Sequence, residues 1–412
     1  MTAGRMRPCT RWRANPTATS ELGPRCAQLP HAGVRWIPHQ LSAIANSHRL
    51  PFGQPWLQRA RLTDYVSSVF RDLRPVDVFA AARRLNGVAH RTPLRHSAAL
   101  SARSTGDVSL KLENEQITGS FKLRGAFNAI AALPESVRSR GVIAASAGNH
   151  GLGVAYASRM LGVAATVYVP CTAPDVKRQG IASLGATVDA TAPDYDAAFI
   201  LATSAARDQE RAFIDPCAGD ALIAGQGTIA LEVVQELPEV ASIVVPVGGA
   251  GLLAGIASFL RAVTPQVHIV GVQSENTAAM ARSLAAGRVV PIPSVPTLAD
   301  GLAGGIDELA LDVGRHALDE IVLVTEEEIE HAISWLARHE GVVAEGAAAV
   351  SVAAILAGKL PSIPTPAVMV ITGGNIDPMV HARILRDAER GARTGRALSR
   401  ATEQRTNGSN YQ

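Results

Sequence analysis

Short strand-like runs and longer helical patterns alternate along most of this chain, and the alternation limits the folds open to it. Runs rich in β-branched residues occur at 108–113, 142–145, 164–169, 186–190, 242–247, 267–272, 320–324 and 367–371. Most are followed by a helical pattern. Strands joined by helices form parallel sheets covered by those helices, with ligands at the carboxyl ends of the strands. The sequence therefore predicts an α/β fold with parallel sheets flanked by helices.

Helix-end signals agree with this interpretation. Pro75 begins an apolar-periodic helix that continues to Leu85 and closes at Asn86-Gly87. Thr325 and Glu328 are placed as a capping box at the start of a later helix.

The stretch 240–260 contains no charged residue and has the length of a membrane span. Pro246 and the glycines at 248, 249 and 251 interrupt it, however. We therefore interpret it as a strand at 242–247, a glycine turn and a helix from Leu252, all buried in an α/β core. No membrane partner is predicted.

The two ends of the chain differ in composition from the body. Residues 1–62 hold nine of the 39 basic residues and one of the 36 acidic ones, which leaves 30 basic and 35 acidic residues elsewhere. The body is thus net negative, so no nucleic-acid partner is predicted. Residues 1–65 are expected to be a disordered or irregular extension, with a transit peptide or a mis-assigned start as alternatives, and 391–412 a loose tail.

The four cysteines, at positions 9, 26, 171 and 217, show neither metal-ligand spacing nor a disulfide framework. A reducing cytoplasm is the simplest setting for such a chain.

Lys122 is the first candidate for chemistry. It follows a run, Val108 to Glu113, that alternates as a half-buried strand does, and it lies in the first turn of a predicted helix that stops at Pro134. The positive end of the helix dipole disfavours a second positive charge there, which favours the neutral, nucleophilic amine that Schiff-base chemistry needs. A solvated surface lysine is the alternative.

Four segments together give the chain a family resemblance. They are TGSFKLRGA at 118–126, SAGNHG at 146–151, VGGAGLLAG at 247–255 and TGGNID at 372–377. In this order they resemble the motifs of fold-type II pyridoxal phosphate (PLP) enzymes, the serine/threonine dehydratase and serine racemase family, over roughly residues 75 to 385. The resemblance implies a tryptophan synthase β-like fold in two domains. The large PLP-binding domain would cover 66–140 and 220–390, and the small domain 141–219. It also implies a homodimer or homotetramer.

The glycine turn at 248–251 is a predicted anion site, since residues without bulky side chains let backbone N–H groups converge at a helix N-terminus. The same segment also matches a dinucleotide fingerprint, which taken alone would indicate an NAD-dependent dehydrogenase. That alternative would leave the motifs around Lys122 and Asn149 unexplained. The resemblance implies that the turn holds the PLP phosphate, although Ala250 replaces one of the usual glycines. The cofactor-binding prediction includes Gly248, Gly249, Ala250, Gly251 and Leu252.

The segment Ser146 to Gly151 lies between a strand and a helix, so its polar and backbone N–H groups can bind a carboxylate. The alternative is a helix N-cap with local hydrogen bonds. The resemblance implies that this loop binds the carboxylate of an amino acid substrate and that Asn149 also contacts the cofactor. The predicted substrate-binding residues are Ser146, Ala147, Gly148, Asn149 and His150.

The resemblance assigns roles to several further residues. Lys122 would hold PLP as a Schiff base and, once freed, remove the Cα proton, and Ser146 is assigned with it to catalysis. Phe121 is placed among the cofactor-binding residues. Thr372 would lie against the pyridine nitrogen, although a strand-end threonine is common without any such role. Glu345 matches a family acid near the cofactor.

These assignments predict a carbon–oxygen lyase that removes water from threonine or serine and releases a 2-oxo acid and ammonia. Alternatives are a dehydratase of 3-hydroxyaspartate or of an osmolyte-derived hydroxy amino acid, a racemase, and an NAD-dependent dehydrogenase. Racemases of this family carry a serine where this chain has Ala147, which cannot transfer a proton. Gln273 and Ala279 stand where related enzymes place cation ligands, so no metal is predicted. The short segment after Asp377 also predicts no regulatory domain.

Overall fold

The computed structural model describes residues 49–51 and 73–390 of the chain. One sheet contains the strands β1 (Arg49–Pro51), β2 (Leu94–His96), β3 (Val108–Leu112), β8 (Ser242–Pro246), β9 (His268–Ser274), β10 (Glu320–Val324) and β11 (Ala367–Ile371). Their order in space is β1-β10-β9-β8-β11-β3-β2. The five central strands are parallel, and the two edge strands are antiparallel to their neighbours.

A second, four-stranded sheet contains β4 (Val142–Ala145), β5 (Ala165–Pro170), β6 (Thr187–Ala192) and β7 (Ala212–Phe213). Its order is β6-β5-β4-β7, and all its pairings are parallel. This sheet lies within the range 141–219 predicted as a small domain, and the limits of the two domains stay a prediction.

Helices connect the strands of both sheets. They are α1 (Pro75–Leu85), α2 (Ala98–Ser101), α3 (Lys122–Ala131), α4 (Glu135–Arg138), α5 (Asn149–Leu161), α6 (Asp175–Ser183), α7 (Tyr195–Asp208), α8 (Asp220–Glu236), α9 (Gly251–Val263), α10 (Ala279–Ala286), α11 (Glu308–Ala317), α12 (Glu326–Trp335), α13 (Gly346–Leu356) and α14 (378–390). The predicted α/β class is therefore confirmed, and each of the eight predicted strand-like runs forms a strand.

Helix-end chemistry also follows the sequence. Helix α1 begins at Pro75, and Gly87 beyond its end has a φ of +75°. Helix α12 has the predicted capping box, in which the Thr325 side chain and the Glu328 side chain each bond to the other's backbone N–H.

Strands β8 and β11 of the large sheet are buried at every position because both faces of the sheet are covered. Val244 of β8 and Met369 of β11 belong to a core shared with helices α12 and α13. Their neighbours Val245 and Val368 belong to a second core shared with α9 on the opposite face. The sequence of a strand buried on both faces is a nearly continuous hydrophobic run, which explains the uncharged stretch at 240–260. Among the residues described, no helix combines the length and apolarity needed to cross a bilayer.

Strand β3 departs from its prediction. The alternation from Val108 to Glu113 predicted a half-buried strand, but Lys111 and Glu113 are fully buried. Both charged side chains are paired: Lys111 Nζ with Glu232 at 2.7 Å, and Glu113 with Arg124 at 2.8 Å. Ion pairing offsets part of the desolvation penalty that would otherwise keep these residues at the surface.

The predictions for the two ends of the chain lie mostly outside the described residues. This applies to Cys9, Cys26, the tail 391–412 and most of the extension 1–65. Within that extension, Arg49–Pro51 forms strand β1 along the edge of β10.

Candidate active site

The lysine motif and the TGGNID motif are paired through their backbones at the carboxyl ends of β3 and β11. The Phe121 N–H donates to the Thr372 carbonyl at 3.0 Å, and the Gly374 N–H donates to the Gly119 carbonyl at 2.9 Å. Lys122 is the first residue of α3 and so lies in the first turn of a helix, as the sequence predicted. Two segments about 250 residues apart in the chain thus hold the start of the lysine helix in place.

Asn149 joins these two motifs to the SAGNHG segment at 146–151, in which it lies. Its Nδ2 donates to Glu345 Oε1 at 2.7 Å, and its Oδ1 accepts from Asn375 Nδ2 at the same distance. Asn375 Nδ2 also donates to the Thr118 carbonyl at 2.9 Å. Helix α5 has Gly148 at its N-cap position, with no side-chain cap bond. The alternative that Asn149 serves only local hydrogen bonds is therefore wrong.

Glu345 is the acid in this network. Burial, with the nearby negative charge of Asp300, raises its pKa to about 7. Hydrogen bonds from Asn149 and from the Asn375 backbone, together with the positive charge of Lys177, limit the rise. The carboxyl group therefore changes charge near neutral pH, next to the side chain of Asn149.

The Lys122 side chain reaches a third part of the chain. Its Nζ donates to the Pro216 carbonyl at 2.7 Å and lies 5.2 Å from the centroid of the Phe121 ring. The next residue, Cys217, lies against the glycine turn: a Cβ on Gly249 would be 2.6 Å from its Sγ, and one on Gly251 would be 2.5 Å from its carbonyl oxygen. A side chain at position 251 would collide with this backbone, so close packing requires glycine there, whereas one at position 249 would have to displace the Cys217 side chain.

The glycine turn presents free donors. Among the described residues, the backbone N–H groups of Gly248, Gly249 and Ala250 have no acceptor within the protein. Helix α9 begins at Gly251, and the N–H groups of a first helical turn have no partner within the helix. Ala250 has a positive φ of +67°. The turn can therefore bind an anion, with Leu252 buried directly behind it.

The loop from Ser146 to His150 has an open side and a closed side. Ser146 Oγ accepts from the Gly148 N–H at 3.1 Å, and a Cβ on Gly148 would meet no atom within 4 Å. The His150 side chain is buried instead, with Nε2 2.8 Å from the Ile214 carbonyl. Burial and the charge of Lys122 lower the pKa of His150 to about 3, so the imidazole is neutral. His150 can therefore contact a substrate only through its backbone N–H.

Thr372 follows the last residue of β11 and is 4% exposed, at the place that the sequence predicted. Gln273 has a structural role in this molecule. Its Nε2 donates to the carbonyls of Val247 and Thr277, and its Oε1 accepts from the Ala281 N–H. No cluster of three metal-ligating side chains occurs among residues 49–51 and 73–390, and the absence of a metal stays a prediction.

Sequence reasoning missed three features of the site. Asn375 was quoted within a motif but was given no role, and Asp300 carried no pattern signal. The loop at 215–217, which contacts both the lysine and the glycine turn, follows a two-residue strand too short to be recognised. Only its place after the small sheet could have drawn attention to it.

The residues present fit a cofactor that has an aldehyde and a phosphate. An amine is available at Lys122, and the glycine turn, to which the turn at 215–217 links it, offers N–H groups that bond to no described residue. The buried hydroxyl group of Thr372 and the amide of Asn149 lie on neighbouring loops. Such a set binds a planar polar ring at one end and an anion at the other.

Comparison with known families agrees with this fit. The model of a family described as pyridoxal-phosphate dependent enzyme matches residues 85–373. An L-threonine ammonia-lyase of Thermotoga maritima is 44% identical over 310 residues, which cover 75% of this chain and 77% of the relative. A catabolic L-threonine dehydratase of Staphylococcus aureus is 40% identical over 306 residues, which cover 73% and 88%.

Two solved structures share the architecture. The processed form of threonine deaminase isoform 2 from Solanum lycopersicum superposes with a TM-score of 0.71 at 30% identity, over 82% of this chain and 95% of that one. Maize serine racemase superposes with a TM-score of 0.72 at 27% identity, over 78% and 99%.

Proposed function

The chain belongs to the family of pyridoxal-phosphate-dependent enzymes, and from this we propose that it is a threonine/serine dehydratase. It removes water from a β-hydroxy amino acid and yields a 2-oxo acid and ammonia. It is thus a carbon–oxygen lyase that uses PLP. Relatives that bear the names threonine ammonia-lyase and threonine dehydratase, at 40% identity or more over most of the chain, support this activity over the alternatives.

The observation that carries the proposal is the meeting of Lys122, Asn149 and the glycine turn. The turn at 215–217 contacts both Lys122 and the glycine turn, while Asn149 and the lysine motif share Asn375 as a partner. A dinucleotide site would use the glycine turn alone and give no function to the other two. The NAD-dependent dehydrogenase is therefore not favoured.

We assign the following roles to these residues. Lys122 anchors the cofactor and, once freed, takes the proton from the substrate Cα. The N–H groups of the glycine turn and of Leu252 hold a phosphate. The loop from Ser146 to His150 binds the substrate carboxylate, with Ser146 as its hydroxyl donor. Phe121 packs beside the lysine amine.

When bound, PLP supplies a conjugated ring that accepts the electron pair left at Cα. The group that this chain offers to the ring nitrogen is the hydroxyl of Thr372, which cannot hold that nitrogen protonated as a carboxylate would. With a hydroxyl at that position, fast loss of a β-substituent is favoured over reactions that need the electron pair to stay at Cα. Elimination is the expected outcome.

Ala147 argues against racemisation. A racemase needs a second proton donor on the face of the substrate opposite to the lysine, and the methyl group of Ala147 cannot transfer a proton. Lys122 is thus the base of the proposed reaction. We also place the enzyme in the cytoplasm, as a homodimer or homotetramer that needs no metal.

The test is spectroscopic and then kinetic. The purified protein should absorb at about 410 nm, where a PLP Schiff base absorbs, and Lys122→Ala should abolish that band. Ammonia and 2-oxo acid release should be measured on serine, threonine, 3-hydroxyaspartate and other hydroxy amino acids. Retention of the band by the lysine variant, or absorbance changes with NAD alone, would overturn the proposal.

A further inference from the structure

The turn from Ile214 to Ala218 is closed by an aspartate side chain. Asp215 Oδ1 accepts from the Cys217 N–H and from the Ala218 N–H, both at 2.8 Å. This is the arrangement in which an aspartate side chain replaces backbone atoms in fixing a turn. The conformation of the turn therefore depends on the Asp215 carboxylate.

Both ends of the turn are fixed to rigid parts of the fold. The Ile214 N–H donates to the Ile143 carbonyl of β4 at 2.8 Å, and the Ile214 carbonyl accepts from the buried His150 at 2.8 Å. At the other end, Cys217 packs against Gly249 and Gly251, and a Cβ on Gly251 would lie 2.5 Å from the Cys217 carbonyl oxygen. The carbonyl between them, that of Pro216, is thus held in one direction.

That carbonyl is the hydrogen-bond acceptor of Lys122. The Nζ···O distance is 2.7 Å between residues 94 positions apart in the chain. An ammonium group on a flexible four-carbon stem takes its direction from the acceptors around it. The Pro216 carbonyl is consequently the group that orients the lysine amine when the amine is not bonded to the cofactor.

We propose that Asp215 is a positioning residue for Lys122, because its carboxylate fixes the turn that directs the Pro216 carbonyl at the lysine Nζ. This inference rests on the proposed function for its chemical meaning. Freed Lys122 takes the Cα proton: a C–H bond breaks, an N–H bond forms, and the electron pair stays with the substrate. The ammonium that results is stabilised by the fixed carbonyl.

Four variants separate geometry from charge. Asp215→Ala removes the acceptor of the turn, while Asp215→Glu keeps the charge on a longer stem that does not close the same turn. Asp215→Asn keeps an oxygen at the same place and should behave as the wild type does. Asp189→Ala is the matched control, since Asp189 Oδ1 accepts from the Thr191 N–H at 3.0 Å in a similar local bond on β6.

Two readouts are measured on these variants and on the wild type. The first is kcat of the PLP-loaded enzyme with threonine and α-deuterated threonine. Asp215→Ala and Asp215→Glu should lower kcat by roughly 10- to 100-fold, with a larger isotope effect because proton removal becomes slower. The second is acetylation of Lys122 by acetic anhydride in the PLP-free protein, followed by peptide mass spectrometry. It should increase several-fold in the same two variants and stay at the wild-type value in the other two.

Unchanged acetylation in Asp215→Ala and Asp215→Glu would overturn the inference. So would a fall in kcat without a larger isotope effect, since loss of folded enzyme lowers kcat in that way. If Asp215→Ala does not fold, the result for Asp215→Glu alone tests the inference. A wild-type protein that turns over no amino acid would contradict the proposed function, and the acetylation results would still decide the position of Lys122.

Discussion

Ala250 holds a conformation that usually belongs to glycine. Of the described residues other than glycine, it and Glu210 have a positive φ, and Ala250 lies directly before α9 in the proposed phosphate turn. A left-handed backbone costs an L-residue roughly 1–2 kcal/mol, because Cβ approaches the following carbonyl oxygen. The turn thus keeps its shape at some cost in stability.

We expect Ala250→Gly to raise the free energy of unfolding by up to about 1 kcal/mol. Relief of the strain exceeds the roughly 0.5–1 kcal/mol that the greater freedom of glycine costs in the unfolded chain. PLP affinity should not fall, since the N–H groups remain. Chemical denaturation and PLP titration measure the two quantities.

The control for this prediction is Ala254→Gly, one turn into α9 and buried as Ala250 is. There the backbone is helical, so glycine should lower the stability by about 1 kcal/mol. Equal losses in the two variants would contradict the strain argument.

Glu345 makes stability depend on pH. Its pKa in the folded protein, about 7, lies above the ordinary 4.5, since burial disfavours the charged form. The unfolded chain therefore releases this proton first as the pH rises. The contribution of Glu345 to stability is complete below about pH 4.5 and is lost as the pH rises through about 7.

Glu345→Gln removes this titration. The stability of the wild type relative to Glu345→Gln should fall by up to about 3 kcal/mol between pH 5 and pH 8, at about 1.4 kcal/mol per pKa unit. Urea denaturation of the PLP-free protein at both pH values measures the difference, with Glu330→Gln on the surface as reference. A difference that does not change with pH would contradict a raised pKa.

At the scale of elements, an ion network joins α3, β3 and α8 beneath the lysine helix. Arg124, two residues after Lys122, contacts Glu113 at 2.8 Å and Glu232 at 2.6 Å, and Lys111 contacts Glu232 at 2.7 Å. Burial opposes the charge of Arg124, but the two glutamates raise its pKa above the ordinary value. Burial likewise opposes ionisation of Glu232, and the two cations lower its pKa. The network fixes the helix that carries Lys122 to the sheet.

Removal of one member should be costly because a buried charge stays behind. We expect Glu113→Ala to lower the free energy of unfolding by about 3–5 kcal/mol, since Arg124 is 1% exposed and loses the carboxylate that follows β3. Glu330→Ala breaks a surface pair with Arg383 and should cost less than about 1 kcal/mol. Denaturation curves compare them. Similar small losses of unfolding free energy in Glu113→Ala and Glu330→Ala would show that the network is dispensable.

The sequence predicted the elements better than it predicted their contacts. Periodicity identified β8, β11 and α3, because a strand buried on both faces and a helix with one apolar face leave distinct patterns. Strand β7, at Ala212–Phe213, is too short for any pattern. The burial of Lys111 and Glu113 could not be predicted, because their partners lie on helices elsewhere in the chain. Within the site, Lys122 and Asn149 were identified by motif. Pro216 contacts Lys122 through its backbone carbonyl, and the Asp215 carboxylate bonds to backbone N–H groups of its own turn, so neither leaves a residue pattern that points to the lysine.

At the scale of the whole molecule, the site needs both sheets. Lys122 follows β3 of the seven-stranded sheet, while the Ser146 loop follows β4 of the four-stranded sheet. Lys177 of α6 forms an ion pair at 3.6 Å with Asp300, whose neighbours Gly301 and Leu302 lie against Gly248 of the glycine turn. This pair therefore links the helix layer of the small sheet to the proposed phosphate site.

The pair should stabilise the arrangement in which both loops face the same substrate. Because its side chains are 36% and 66% exposed, it is worth only about 0.2–1 kcal/mol. Lys177→Gln should therefore raise KM for the amino acid by up to about fivefold and change kcat little.

Since salt screens exposed pairs, the wild-type KM should rise toward that of the variant in about 0.5 M salt. Arg178→Gln is the control, because Arg178 pairs with Asp175 on its own helix. Steady-state kinetics at low and high salt compare the three proteins. An equal KM for Lys177→Gln and Arg178→Gln would mean that the two sheets keep their arrangement without this pair.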